Sequence, residues 1–362
     1  MATPKDTVWE IEPHTLAKHK ILERYLKAWF PILSTYHERI IYLDGFSGPG
    51  RYKNGEPGSP IIALEVANGH QKQFKGELVF IFVDERKDRV DNLKNEIALL
   101  KLPNTFKVHP EDGQFAQVAT GILDEIEKEN QTLAPTFAFI DPFGFSGVPF
   151  DLLCRLLKHK SSEALITFMV DSMNRFLEAP NEEIQKHIVE FFGTKEVIDV
   201  AKKQGDRIKN LLNFYLEKLQ PIGKFIRLFE MRNQNDRIIY YLVFVTNNPL
   251  GHLRMKEAMW KVDEEGDFRY SDSTNIDQGV LFHIDHAEKL FNIMCGLFSK
   301  RAISVEALKN YIRDHTMYID KHLTCSLQYG EEKGLITVNA QKMDGSKRRK
   351  KTFPDGALIT FN

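Results

Sequence analysis

The feature that most limits the fold of this chain is a reversal of strand direction written late in the sequence. Two long apolar stretches, Lys224–Arg232 and Arg237–Thr246, are joined by Asn233-Gln234-Asn235. So short a link makes an antiparallel hairpin, because a parallel return needs a crossover of a dozen or more residues. Upstream the pattern is different. Apolar runs at Ile40–Leu43, Leu78–Val83, Phe106–His109, Phe137–Ile140 and Ala164–Val170 alternate with helical stretches at Ser59–Asn68, Lys87–Leu100, Phe115–Glu129 and Phe150–Leu157. Continuous apolar strands separated by helices predict a parallel sheet covered on both faces. A leading helix is expected over His14–Leu33, where Leu16, Ile21, Leu22, Tyr25, Leu26 and Trp29 recur at helical spacing. The fold class is therefore α/β, a doubly wound sheet closing on a terminal antiparallel hairpin. A helical insert, about 174–219, interrupts the alternation.

The last part of the chain reads differently. A charged, Ser/Asp-rich stretch, Asp263–Gln278, precedes helices at Ala287–Phe298, Ser304–Asp314 and Asp320–Glu332. Strands Leu335–Val338 and Ala357–Phe361 then flank a basic loop, Lys342–Lys351. This is the order of a winged helix, which gives three segments: a main domain over 1–265, a linker over 266–285 and a winged helix over 286–362. The net charge of −1 excludes a wholesale polyanion binder, but 286–362 holds 13 basic against 8 acidic residues. A local nucleic-acid contact is compatible with that tail. Lys347, Arg348, Arg349 and Lys350 on the wing, and Lys321 and Gln328 on the third helix, are the candidate contacts; a solvated loop tip fits the wing equally well. Cys154, Cys295 and Cys325 have no metal-ligand spacing, so no metal is expected, and they read as buried thiols. No run spans a bilayer and Met1–Trp9 has no signal-peptide core, so a cytoplasmic protein is expected.

Chemistry concentrates where strands end. Asp44-Gly45-Phe46-Ser47-Gly48-Pro49-Gly50 follows the first strand, and open α/β sheets bind ligands at that end. No Gly-Lys-Ser/Thr is present and no helix starts directly after the glycines, so a phosphate cradle does not fit. S-adenosylmethionine, which has an amino-acid tail and no phosphate, does. Asp84 and Glu85 end the second strand, either to accept ribose hydroxyls or as helix N-terminal acids. Asp112 follows the third strand as an adenine contact or a helix N-cap. Lys18 and His14, at the entry to the first helix, could close over the cofactor's carboxylate. Asp141-Pro142-Phe143-Gly144 ends the fourth strand and is similar to the Asp/Asn-Pro-Pro-Tyr/Phe motif of enzymes that methylate exocyclic amines. There a carboxylate and a backbone carbonyl accept the amine's hydrogen bonds while an aromatic ring stacks on the base; a turn that merely stops the strand is the alternative. A nuclease reading of Glu85-x-Lys87 lacks its companion acid.

A parallel sheet with a terminal antiparallel hairpin is characteristic of class I methyltransferases. The combined motifs narrow this further. Trp9, His14-Thr15, Lys18, the run Tyr42–Tyr52, Gly58-Ser59-Pro60, Ile140–Pro149, Phe191-Phe192-Gly193, Thr246-Asn247-Asn248-Pro249 and Met259-Trp260-Lys261-Val262 resemble the three-Cys-motif partner (TcmP) proteins over about residues 8–265. Asp84 stands where that family has Glu, keeping the carboxylate with a shorter reach. The resemblance implies a methyltransferase-like fold and a companion with a radical-SAM-like three-cysteine motif. Two functions follow as expectations: an S-adenosylmethionine-dependent methyltransferase acting on an amino group, in DNA or RNA, or a non-catalytic scaffold that binds nucleic acid or the three-Cys protein.

Overall fold

The computed structural model describes residues 4–70, 74–170, 172–173, 181–273, 285–339 and 348–362. It divides into two compact units, 1–262 with 269–274 and 263–268 with 275–362. Among the described residues no helix is long and apolar enough to cross a membrane.

The first unit is built on an eight-stranded sheet. Its elements are α1 (Pro13–Tyr36), β1 (Arg39–Asp44), α2 (Ser59–Asn68), β2 (Glu77–Asp84), α3 (Lys87–Ala98), β3 (Phe106–Asp112), α4 (Phe115–Lys128), β4 (Thr136–Ile140), α5 (Phe150–Lys158) and β5 (Ser162–Phe168). Then come α6 (Glu182–Phe192), α7 (Val197–Lys202), α8 (Arg207–Leu219), β6 (Phe225–Arg232), β7 (Ile238–Thr246), α9 (Pro249–Trp260) and β8 (Arg269–Ser271). The strand order is β3-β2-β1-β4-β5-β7-β6-β8. β1 to β5 pair in parallel, β7 is antiparallel to β5 and to β6, and β8 runs parallel to β6. The β6–β7 hairpin is thus not the sheet's edge: β8, drawn from the stretch expected to be linker, adds a further strand.

The two faces are packed by different chemistry. Under α1 lies an aromatic layer, in which Tyr42 stacks on Phe137 with centroids 6.0 Å apart and also meets Phe80 and Phe82. The strand register that opposes Tyr42 to Phe80 and Phe137 sets these contacts. The other face is mostly aliphatic and continues into the insert, where Phe191, Phe192 and Tyr215 pack on Phe168. Gly193, at φ +66°, ends α6 against the Phe150 ring.

The second unit consists of α10 (His286–Phe298), β9 (Ala302–Ser304), α11 (Val305–His315), α12 (Asp320–Glu332), β10 (Ile336–Asn339) and β11 (Leu358–Phe361). The strands form an antiparallel sheet in the order β10-β11-β9. Its core gathers Leu290, Phe291, Met294, Leu308, Leu323, Leu327 and Phe361. The expectation of three buried thiols needs correction. Cys154 and Cys295 are half-buried, and Cys325 is exposed because it follows Thr324 on the outward side of α12.

Candidate functional site

The sheet reverses its winding between β1 and β4, and the site lies at the carboxyl ends of those two strands. The loop after β1 is held from beneath. Asp44 is fully buried; its carboxylate accepts from the Phe46 N–H at 3.2 Å and from the Tyr42 hydroxyl at 3.4 Å. Burial pushes its carboxyl up to about 7, although bonds from Ser59 and Phe46 oppose the rise. Gly45 admits the Phe115 ring, which lies 2.6 Å from where a Cβ would stand. Asp44 and Gly45 therefore fix the loop and do not line the pocket above it. Gly48 (φ +64°) and Gly50 (φ +92°) turn the chain through left-handed conformations.

That turn bounds a pocket of about 330 Å³, within the range of small-molecule sites. Phe46, Ser47, Gly48 and Gly50 form one wall; Asp141, Pro142 and Phe143 another; Thr15, Lys18 and His19 of α1 close it, with Tyr240 beside them. Asp141 is engaged on both oxygens: Lys18 pairs with Oδ2, and the Thr167 hydroxyl donates to Oδ1 at 2.5 Å. The Lys18 ammonium also lies 5.2 Å from the Tyr240 ring centroid. Two buried polar atoms of this lining, Ser47 Oγ and His19 Nδ1, have no hydrogen-bond partner among the described residues. Burial, aided by the Lys18 charge, takes the His19 imidazole down to about 3 and keeps it neutral. His14 does not line the pocket; it lies 2.8 Å from Asp272 and 2.9 Å from Glu12. Burial pulls its imidazole down, but the bonds and charges of Glu12 and Asp272 carry it above the ordinary histidine value.

The end of β2 departs from expectation. Asp84 is 6% exposed and accepts from the Gly48 N–H at 3.0 Å and the Arg86 N–H at 2.9 Å, with Arg89 3.8 Å away. The N-terminal segment lies across this region. Arg89 donates to the Pro4 carbonyl, and Arg86 to those of Pro4 and Lys5. The Arg89 guanidinium stands 4.7 Å from the Trp9 ring and 5.5 Å from that of Phe143. Trp9 meets Phe143 edge-on at 5.9 Å. Asp84 thus holds the glycine turn and does not line the pocket, and the Phe143 ring has neighbours where a stacked base was expected. Glu85, Asp112 and Gly144 also lie outside the pocket lining; Asp112 is exposed at the last position of β3, opposite Asp84. The insert contributes no described residue to the lining, because its apolar face is spent on Phe168 and Phe150.

On the second unit, Lys321 is exposed and Gln328 donates to the Lys351 carbonyl at 3.2 Å. Arg348 is committed to an ion pair with Glu331 and packs 5.5 Å from the Phe353 ring, so it is not a free phosphate ligand. Arg349 and Lys350 are exposed, and Lys347 lies outside the described residues.

Sequence reasoning missed His19, Tyr52, Arg89 and Tyr240. His19 had a legible signal. Lys18 and His19 precede Leu22 by four and three residues, which puts both on the core-facing stripe of α1, where charged residues need a reason.

No family model and no curated protein matches the sequence. Among solved structures, the chain is similar to a Legionella pneumophila protein of family DUF519, with 15% identity, 70% of this chain and 92% of that one covered, and a TM-score of 0.41. It is also similar to human methyltransferase-like protein 13 in complex with SAH (9% identity, 75% and 97% covered, TM-score 0.37). A third neighbour is PKMT2 from Rickettsia typhi in complex with AdoHcy (11% identity, 89% and 74% covered, TM-score 0.30).

Proposed function

We propose that the first unit binds S-adenosylmethionine and transfers its methyl group to an amino group of a nucleic acid, working with a three-Cys-motif, radical-SAM-like partner. The observation that carries this reading is the position of the pocket. It sits at the carboxyl ends of β1 and β4, where the winding reverses, and is walled by two left-handed glycines. Open α/β sheets bind their ligands at that point. The residues fit the amino-acid end of the cofactor. Lys18 would face its carboxylate, Glu10 and Glu12 its ammonium, and the unpartnered Ser47 hydroxyl has a bond to give. When bound, the cofactor would supply an activated methyl on a sulfonium. Asp84 would reach the adenosine end only by leaving the Gly48 and Arg86 N–H groups that hold it. We read the second unit as a winged helix that brings the nucleic acid, through Lys321, Arg349 and Lys350.

A scaffold without catalysis is favoured by one specific observation: Asp141 already has a partner on each oxygen. Calorimetry with S-adenosylmethionine and S-adenosylhomocysteine tests the cofactor reading, with Lys18→Met expected to weaken binding. Labelled-methyl transfer to DNA or RNA, with the three-Cys companion present, separates enzyme from scaffold. Binding without transfer leaves the scaffold.

A further inference from the structure

A second cavity of about 420 Å³ opens between α1 and α2, and the residue it shares with the first pocket is His19. His19 is 5% exposed, and its Nδ1 has no hydrogen-bond partner among the described residues. Buried polar atoms are almost always bonded, so an unpartnered buried nitrogen on the one residue that lines both cavities points to a ligand. The imidazole stays neutral at any ordinary pH, and a neutral ring offers one donor and one acceptor. The walls of the second cavity are apolar where Leu16, Ile62 and Val66 line it, and Leu16 is 38% exposed. Its acids are paired: Glu23 meets Lys27 at 2.5 Å, and Glu65 meets Arg51 at 2.7 Å, an arginine it shares with Glu96 at 3.2 Å. Lys20, exposed and also lining the cavity, has no ion-pair partner among the described residues. A slot between two helices with apolar side chains on both, a neutral donor–acceptor at the residue shared with the first pocket and one unpaired cation has the chemistry of a nucleotide site: apolar walls for a ring, polar groups for its edge and a charge for its phosphate.

We propose that the acceptor base enters through this slot between α1 and α2, hydrogen-bonding His19 at the junction with its phosphate towards Lys20, and not over Phe143. The proposal deepens the methyl-transfer reading and rests on it for the base being the acceptor.

The test uses the full chain with ¹⁵N-labelled histidine, observed by long-range proton–nitrogen correlation. CMP and AMP are titrated separately, with and without S-adenosylhomocysteine. At least one nucleotide is expected to move the His19 ring nitrogens. Leu16→Trp, which fills the slot from its exposed side, should weaken that nucleotide at least about tenfold and change S-adenosylhomocysteine affinity less than about twofold. Lys20→Ala should weaken the monophosphate about fivefold and the matching nucleoside not at all. The proposal is overturned if neither nucleotide moves His19 at millimolar concentration, or if Leu16→Trp binds as tightly as the parent. Failure of S-adenosylhomocysteine to bind while a nucleotide still moves His19 would remove the cofactor reading and leave the slot standing.

Discussion

Asp44→Asn should stabilise the first unit, and by an amount that depends on pH in a defined way. The folded chain holds the Asp44 proton up to about 7, against 3.8 for an ordinary aspartate. The folded state therefore binds more protons than the unfolded one between those values. Its stability is complete below 3.8 and falls as pH rises towards 7, at about 1.4 kcal/mol per pH unit, for a total of about 4 kcal/mol. Asparagine is neutral throughout and keeps an oxygen for the Phe46 N–H. The Tyr42 and Ser59 hydroxyls can reverse direction and accept from its amide. Against the gain stands at most one imperfect hydrogen bond, about 0.5–1.5 kcal/mol. Urea unfolding followed by tryptophan fluorescence isolates the effect, since Trp9, Trp29 and Trp260 all lie in the first unit. The variant should match the parent near pH 4 and exceed it by about 3 kcal/mol at pH 8. A difference that stays constant from pH 5 to pH 8 would refute the reasoning, because the buried carboxyl would then not be the group that titrates.

Three further outcomes are expected. Lys18→Met should cost about 2–3 kcal/mol by stranding the largely buried Asp141 charge, and Lys18→Met with Asp141→Leu should recover most of it; additive losses in urea titrations would mean that the pair is not coupled. Gly50→Ala should destabilise by about 1–3 kcal/mol, since it combines a φ of +92° with a Cβ 2.9 Å from Leu93, whereas Gly48→Ala meets only Trp9 at 3.6 Å and should cost less; equal costs in the same titrations would show that the Leu93 clash is relieved freely. On the tail, Arg349→Gln and Lys350→Gln should each lower the salt slope of nucleic-acid binding by up to about one unit, while Arg348→Gln should instead lower the melting temperature, because Arg348 is tied to Glu331.

What the sequence disclosed follows from the physics that each feature uses. Strands such as Phe137–Ile140 are visible because burial on both faces demands an unbroken apolar run. The three-residue strands Arg269–Ser271 and Ala302–Ser304 are not, since they are too short for any periodicity. Residues brought to the pocket by the local chain were legible: Gly48 and Gly50 from their turn, Asp141 from its place at a strand end. The roles of Asp84 and Phe143 were not, because they depend on Gly48 meeting Asp84 from 36 residues away in sequence and on Trp9 meeting Phe143 from a still more distant segment. Nothing local records such a contact. Lys18 and His19 were half-legible: their position on the core-facing stripe marks them, but only the fold shows that Lys18 reaches Asp141.

The Lys18–Asp141 pair is also where the two functional readings part. A carboxylate has about four lone-pair sites, and here two are taken, by Lys18 and by Thr167. If the pocket holds the cofactor's amino-acid end, the carboxylate arriving there competes for the Lys18 ammonium and returns one Asp141 oxygen to the pocket. An acceptor amine can then use that oxygen at no cost in stranded charge, because Lys18 has a new partner. Cofactor and acceptor must therefore bind with positive coupling, and the coupling is reciprocal: each raises the other's affinity by the same factor. One recovered charge-assisted hydrogen bond, about 1.5–3 kcal/mol, corresponds to a factor of about ten to a hundred. The measurement is a closed cycle of four titrations with S-adenosylhomocysteine and the nucleoside monophosphate that binds. Asp141→Asn should collapse the factor towards one while leaving S-adenosylhomocysteine affinity within about threefold, since a neutral amide neither holds Lys18 nor gains by its release. A factor of one in the parent protein would mean that the ion pair stays closed when the pocket is filled, and Asp141 would then be a structural anchor for α1 on the sheet.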